Sequence, residues 1–430
     1  MIAPDASIPI ETYRLENGLL VTLSQDRTAP IVAVNLWYHV GSANERVQRT
    51  GFAHLFEHML FQGSENVAAN EHFELIQRAG GTLNGSTWLD RTNYFETVPS
   101  QQLELALWLE ADRMARLLPA MTQEKLDTQR DVVKNERRWS VDNQPYGSWW
   151  ERLPALCFPP SHPFHHSLMG SMEDLSAASL EDVAGFFRMY YTPDNAVLTI
   201  AGDIDEEEAR QLVDRHFAPI PRGNGRPPLG VMDVPPQFGR SLREVVEDDV
   251  ALPRLFLACR TPVFGSAGYY DASIIAAMLG TGRGSRLYQT LIRERQLASA
   301  ATAFTFDLSK GTDLLVVDAT ARPGVTAAAL EEGVSDVLDE LRTRGPRSGE
   351  LPRVLAQTET EFVVSMQRAG DRAEQLSRFA TYFGEPALLN EQVARYRAVS
   401  DASVHALAAD RLGPDNRAAL LYVPRGGSVS

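Results

Sequence analysis

Cysteine is nearly absent: Cys157 and Cys259 are the only two in 430 residues. They stand far apart with no finger-like spacing, so a disulfide framework and a cysteine-based zinc finger are both excluded, and each is expected to be a small buried apolar group. No apolar run approaches the length that crosses a bilayer, which argues against a membrane span. No dense Lys/Arg cluster offsets the formal net charge of −15. Phosphate backbones would be repelled, and nucleic acid is not an expected partner. The opening Met1-Ile2-Ala3-Pro4-Asp5 lacks the basic stretch and apolar core of a secretory signal. The chain reads as cytoplasmic as written, and as periplasmic if a signal has been removed, so the compartment stays open.

What is present is the composition of a soluble globular protein, 44% hydrophobic and 23% charged, with a length that implies two domains. Pro219, Pro221, Pro227, Pro228, Pro235 and Pro236, with several glycines among them, cannot sustain a helix or an interior strand. Residues 219–239 are therefore expected to be a linker between a domain at 1–218 and another at 240–430. Before the linker, the strand-like Ile31 to Tyr38 is followed by the helical Leu103 to Leu118. After it, Leu255 to Ala258 and Leu314 to Val317 are strand-like, and Asp271 to Leu279 and Ala327 to Arg342 are helical. The order recurs, but any two α+β domains share so coarse an order, and duplication stays open at this point. The expected class is α+β, with mixed or mainly antiparallel sheets carrying helices on one face.

Thr50 can cap a helix from Gly51 to about Gln62, with Gly63 placed to end it. Apolar residues occur all round this segment, which predicts burial. Yet at 100° per residue His54, Glu57 and His58 share one narrow arc. Burying such groups without partners is costly, and a bound cation would offset that cost. Two imidazoles one turn apart suit zinc, whose catalytic sites use three protein ligands and leave a fourth position to water. Glu57 lies too near both histidines in sequence to be the obvious third ligand, and its position suits a base acting on that water.

With this HxxEH segment the chain resembles the pitrilysin/insulinase family of inverted zincins, and most closely its short bacterial members related to the mitochondrial processing peptidase. The resemblance extends to Leu15-Glu16-Asn17-Gly18-Leu19, Gly80-Gly81-Thr82-Leu83-Asn84-Gly85, Asp194-Asn195-Ala196-Val197-Leu198 and Gly202-Asp203. It implies one zinc per chain, with a third ligand 75 to 80 positions beyond the second histidine. Glu136 fits that place, and Glu110 and Glu124 are rival carboxylates read as solvated helix charges. The family's supporting glutamate seven residues before the ligand is Gln129 here. The resemblance further implies two homologous domains per chain, each a mainly antiparallel sheet packed with helices, together forming half of a clamshell. Only the first carries the motif. It also implies an edge strand at 80–87 to which an extended peptide adds through its backbone, where Asn84 is either the holder of a substrate carbonyl or a turn residue between glycines. The expected activity is that of a zinc metalloendopeptidase subunit cleaving unfolded peptides or short protein segments. The alternative within the family is a non-catalytic assembly subunit.

Members that work as complete enzymes carry an arginine and, seven positions on, a tyrosine that contact the substrate. Here those places hold Ile292 and Ser299, and Arg293 is one residue out of register. The expected partner is therefore a homologous zinc-less chain supplying the pair in a heterodimer, with a self-sufficient homodimer as the alternative. Other signals are read as bland. Ser161-His162-Pro163-Phe164-His165-His166 is a loop because adjacent histidines do not share a helix face. The glycine-rich 280–285 lacks the lysine of a phosphate loop. Trp149-Trp150 near Tyr146 is aromatic packing.

Overall fold

The computed structural model describes residues 7–46, 48–225, 227 and 229–426. Met1-Ile2-Ala3-Pro4-Asp5 and the linker's Pro228 lie outside them. The chain divides into two compact units. One comprises Met1–Arg137, His166–Leu229 and Phe362–Gln392, the other Arg138–His165, Gly230–Glu361 and Val393–Ser430. These are not the two continuous stretches 1–218 and 240–430, because two segments cross over. In 219–239 the described residues form no helix or strand. No helix among the described residues is long and apolar enough to cross a membrane.

The first unit is built on a six-stranded sheet of β1 (Glu11–Arg14), β2 (Leu20–Gln25), β3 (Ile31–Tyr38), β4 (Thr82–Thr87), β5 (Thr92–Pro99) and β6 (Ala196–Gly202). Their order is β1-β2-β6-β3-β5-β4, and only β2 and β6 run parallel. Side-chain alternation gives β3 two different faces. Val32, Val34, Leu36 and Tyr38 enter the main core, which also takes residues from the helices Phe52–Met59, Leu103–Ala120, Leu180–Tyr190 and Glu206–Phe217. Ala33 and Trp37 face the other way and meet the helix Ala369–Phe383: Ala33 and Ala201 pack with Ala369 and Ala373, and Trp37 packs with Ala380. Thus helices cover both faces of this sheet, not one. The second cover comes from the far end of the sequence because the sheet's small residues accept an alanine stripe, while its polar residues hydrogen-bond the same helix. Ser377 donates to Thr199 at 2.8 Å and Tyr382 to Asp90 at 2.7 Å. Strand β4 is left at the edge.

The second unit has β7 (Leu242–Asp248), β8 (Arg254–Thr261), β9 (Ala298–Thr305), β10 (Asp313–Ala321) and β11 (Ala418–Pro424), ordered β7-β11-β8-β10-β9. Again a single parallel pair, β7 with β11, stands in an otherwise antiparallel sheet. A matching detail precedes the last strand of each sheet. Pro193–Asn195 and Pro414–Asn416 both form one 3-10 turn. The amides of Asn195 and Asn416 donate to the carbonyls of Tyr190 and Arg411, each five residues back, at 2.7 Å. Here Trp149 stacks on Phe256 with centroids 4.5 Å apart, so 138–165 packs with this sheet. Trp149 is half-buried and Trp150 45% exposed, the latter stacking on Phe306 at 5.7 Å between centroids. Cys157 and Cys259 are buried and free.

The motif helix is Phe52–Met59, shorter than the expected 51–62, and Thr50 is not its cap. The buried carboxylate of Glu45 accepts from the backbone N–H of Gly51 at 2.9 Å and of Ala53 at 2.7 Å, satisfying donors that a helix start leaves open. Thr50 instead donates its hydroxyl to Asp174 at 2.5 Å. Gly51 has φ +84°, and a Cβ there would sit 2.6 Å from the Met169 carbonyl oxygen. Replacing Glu45 by Ala is expected to destabilise the protein by about 1–2 kcal/mol, as lost caps do, read as a lower urea midpoint. An unchanged midpoint would refute the capping role.

Candidate metal centre

His54 and His58 project from successive turns of the motif helix, their ring centroids 4.8 Å apart. The helix Gln123–Arg137 brings Glu136 to the same point, its Oε2 3.2 Å from His58 Nε2 and 3.8 Å from His54 Nε2. All three donor atoms lie within 4.8 Å of one another. Ligands of a tetrahedral zinc at about 2.0–2.1 Å stand about 3.3 Å apart, and the separations from the carboxylate oxygen bracket that value. Burial, with the neighbouring His58, pushes the His54 imidazole down to about 4. The hydrogen bond with His58 holds the Glu136 carboxyl below its ordinary range against the opposing effect of burial. His54 and Glu136 are thus pushed toward the deprotonated forms that bind a metal. His54 Nδ1 is buried without a hydrogen-bond partner.

Glu57 sits on the same helix face, and its Oε2 accepts the Thr87 hydroxyl at 2.6 Å. Burial raises its carboxyl, opposed by that hydrogen bond, His58 and Arg91. Strand β4 approaches closely because residue 85 is glycine: a Cβ there would lie 3.2 Å from Glu57 Cγ and from the rings of Phe61 and Tyr94. Gly85 and Thr87 therefore face the motif helix, and alternation turns Asn84 to the opposite face. Asn84 is not brought together with the other candidates, and its Oδ1 accepts from the Gly85 N–H at 2.9 Å. Thr87 and Glu45 carried no recognised signal in the sequence, although the period of two along β4 groups Thr87 with Gly85.

Of the rival carboxylates, Glu124 is exposed, as expected. Glu110 is not a solvated charge: it is wholly buried, where Arg113 grips it through two hydrogen bonds, one of 2.8 Å from Nε. Its helix turns that face into the core, and the arginine one turn on makes the burial tolerable. Burial raises Glu110 and Glu96 to about 7 each and lowers the adjacent His72 to about 3. His72, Glu96 and Glu110 also lie close enough to hold an ion, but Arg113 supplies the cation and rests 4.1 Å over the Tyr94 ring. Gln129 is buried. In the histidine loop, His162 lies 3.0 Å from the Met232 carbonyl and His165 2.7 Å from that of Phe158. In the second unit Ser299 donates to the Ala321 carbonyl at 3.1 Å, and Arg293 donates to Gln289 at 3.4 Å.

Known proteins share this arrangement of sequence and fold. The family described as "Insulinase (Peptidase family M16)" matches residues 20–155, which hold all four clustered residues, and "Peptidase M16 inactive domain" matches 177–358. The chain is 29% identical over 365 residues to zinc protease PqqE of Helicobacter pylori, across 84% of this chain and 81% of that one. It is 24% identical over 392 residues to the mitochondrial-processing peptidase subunit beta of Blastocladiella emersonii, across 87% and 80% of the two chains. A solved protease structure from Helicobacter pylori matches with a TM-score of 0.91 at 26% identity, covering 97% of this chain and 100% of that one. With the two family matches falling in succession along it, the chain belongs to peptidase family M16, the pitrilysin/insulinase family of zinc proteases.

Proposed function

We propose that this chain is a zinc metalloendopeptidase subunit, with one zinc held by His54, His58 and Glu136 and with Glu57 as the general base. The observation that carries the reading is the meeting of two imidazole nitrogens and one carboxylate oxygen, with Glu136 Oε2 3.2 Å and 3.8 Å from the two rings, beside a carboxylate already held in place. Zinc, when bound, supplies Lewis acidity toward a peptide carbonyl and acidifies water. Thr87 fixes Glu57 Oε2 and leaves Oε1 to take the proton of the attacking water and pass it to the leaving amine. The raised carboxyl of Glu57 brings its proton affinity closer to neutral pH, where a base that must also act as an acid works best. The edge strand β4 offers unpaired backbone groups to an extended peptide. Because such pairing needs an extended backbone, the substrates are unfolded peptides or short protein segments.

Ile292 and Ser299, where complete family enzymes are expected to carry arginine and tyrosine, favour a working heterodimer in which a homologous zinc-less chain supplies that pair. Full peptidase activity of the purified zinc-loaded chain alone, in its absence, would refute this. Mutation separates the roles within the site. Glu57→Gln should keep zinc by elemental analysis and lower kcat by about 10²–10⁴-fold; His58→Ala should lose zinc and activity together. Chelation should abolish cleavage and added zinc restore it. A Glu57→Gln variant with unchanged kcat would overturn the assignment.

A further inference from the structure

Behind β4, on the side away from the motif helix, lies a cavity of about 440 Å³ whose walls include Thr82, Asn84, Ser86, Phe95 and Glu374. Its floor is the face of the first sheet that the helix Ala369–Phe383 only partly covers. Glu374, on that helix, is half-buried. Its Oε2 accepts from Asn35 Nδ2 at 2.8 Å, Trp37 Nε1 at 3.1 Å and Asn93 Nδ2 at 3.0 Å. Three neutral donors thus fix one oxygen and leave Oε1 with no partner. No cation pairs with this carboxylate among the described residues. Asp371, the other acid of the cavity, is matched by Arg368 at 2.6 Å. Arg91 is engaged elsewhere, donating to the Ser86 carbonyl and to Asn93 Oδ1, each at 3.0 Å. Phe95 stands directly across from Asn84 in the β4–β5 register and is 37% exposed, an unusual place for a large apolar ring. An aromatic ring beside an unmatched, immobilised carboxylate suits a long cationic side chain, whose methylene stem covers the ring while its head meets the charge.

We infer that this cavity is a specificity subsite that takes an arginine or lysine side chain of a peptide paired to the edge of β4. The inference rests on the proposed peptidase reading for its occupant. A strand added to β4 alternates its side chains between the two faces of the sheet. Every second one points to the face of Glu57, and those between point to the face of Glu374. The basic preference consequently falls on one position of the second parity, the one lying over the cavity, and its immediate neighbours in the peptide do not share it.

Two measurements test this on the full-length, zinc-loaded chain. The first is binding, by fluorescence anisotropy to the Glu57→Gln variant, of a peptide set in which each position in turn is Arg, Lys, Gln or Glu. The second is kcat/KM for the same set with the unaltered protein in the heterodimer. Arg and Lys should be favoured over Gln by about five- to thirtyfold at that one position, in KM more than in kcat. Glu374→Gln, which keeps an oxygen for the three donors, should bring the Arg/Gln ratio close to one, and Glu374→Lys should favour Glu. Equal binding of Arg and Gln peptides at every position, an equal preference at adjacent positions, or a ratio unchanged in Glu374→Gln would overturn the subsite. Charge-selective binding without cleavage even in the presence of the homologous zinc-less partner would instead count against the peptidase reading while upholding the subsite. Thermal unfolding of each variant identifies any that fails to fold, and the peptide set on the unaltered protein decides without them.

Discussion

Three donor atoms have to meet at one point although two come from a single turn of helix and the third from another helix far along the chain. That constraint organises the first unit. The motif helix cannot roll, because Phe56 on its buried side is clasped between Phe187 and Tyr191, at 5.9 Å and 4.8 Å between centroids. Its start is tied down by Glu45. With its back fixed, the histidines and Glu57 can only point toward Glu136 and β4. The site is accurate because the core behind it is crowded, not because its own polar contacts are strong.

The buried charges beside the site serve the same end. Arg113, Glu110, Glu96 and His72 form a desolvated cluster, and removing one member would strand the others in the core. Arg113 lies against the face of Tyr94, and the Tyr94 ring is one of the surfaces that limits residue 85 to glycine. Thus a packed ion pair, an aromatic ring, a missing side chain and the Glu57 carboxylate form one continuous stack. The distance between β4 and Glu57 is set by it.

Local patterns were legible in the sequence, and long-range ones were not. Two histidines and a glutamate at helical spacing declared themselves because their relation depends only on the pitch of a helix. Glu136 could be singled out only through a family resemblance, since nothing in the spacing of the chain tells which carboxylate returns to the motif. Glu110 was misread because its helix mixes charged and apolar residues, although Arg113 three positions on is the kind of partner that permits burial. Thr50 looked like a cap, but the tertiary structure brought a longer acid to the same donors. The two α+β sheets were readable from strand-like and helical runs. The exchange of segments between the units was not, because the helix Ala369–Phe383 carries an ordinary amphipathic pattern that does not say which sheet it will cover.

That helix has a consequence for how the protein is made. Trp37, Ala33 and Ala201 emerge from the ribosome long before Ala369, Ala373 and Ala380, which cover them. During synthesis that face of the first sheet cannot be covered until the helix Ala369–Phe383 has been made. Completion of the unit that bears the candidate metal centre therefore waits on that helix, and a nascent chain arrested near the proline-rich segment would offer chaperones a half-dressed sheet.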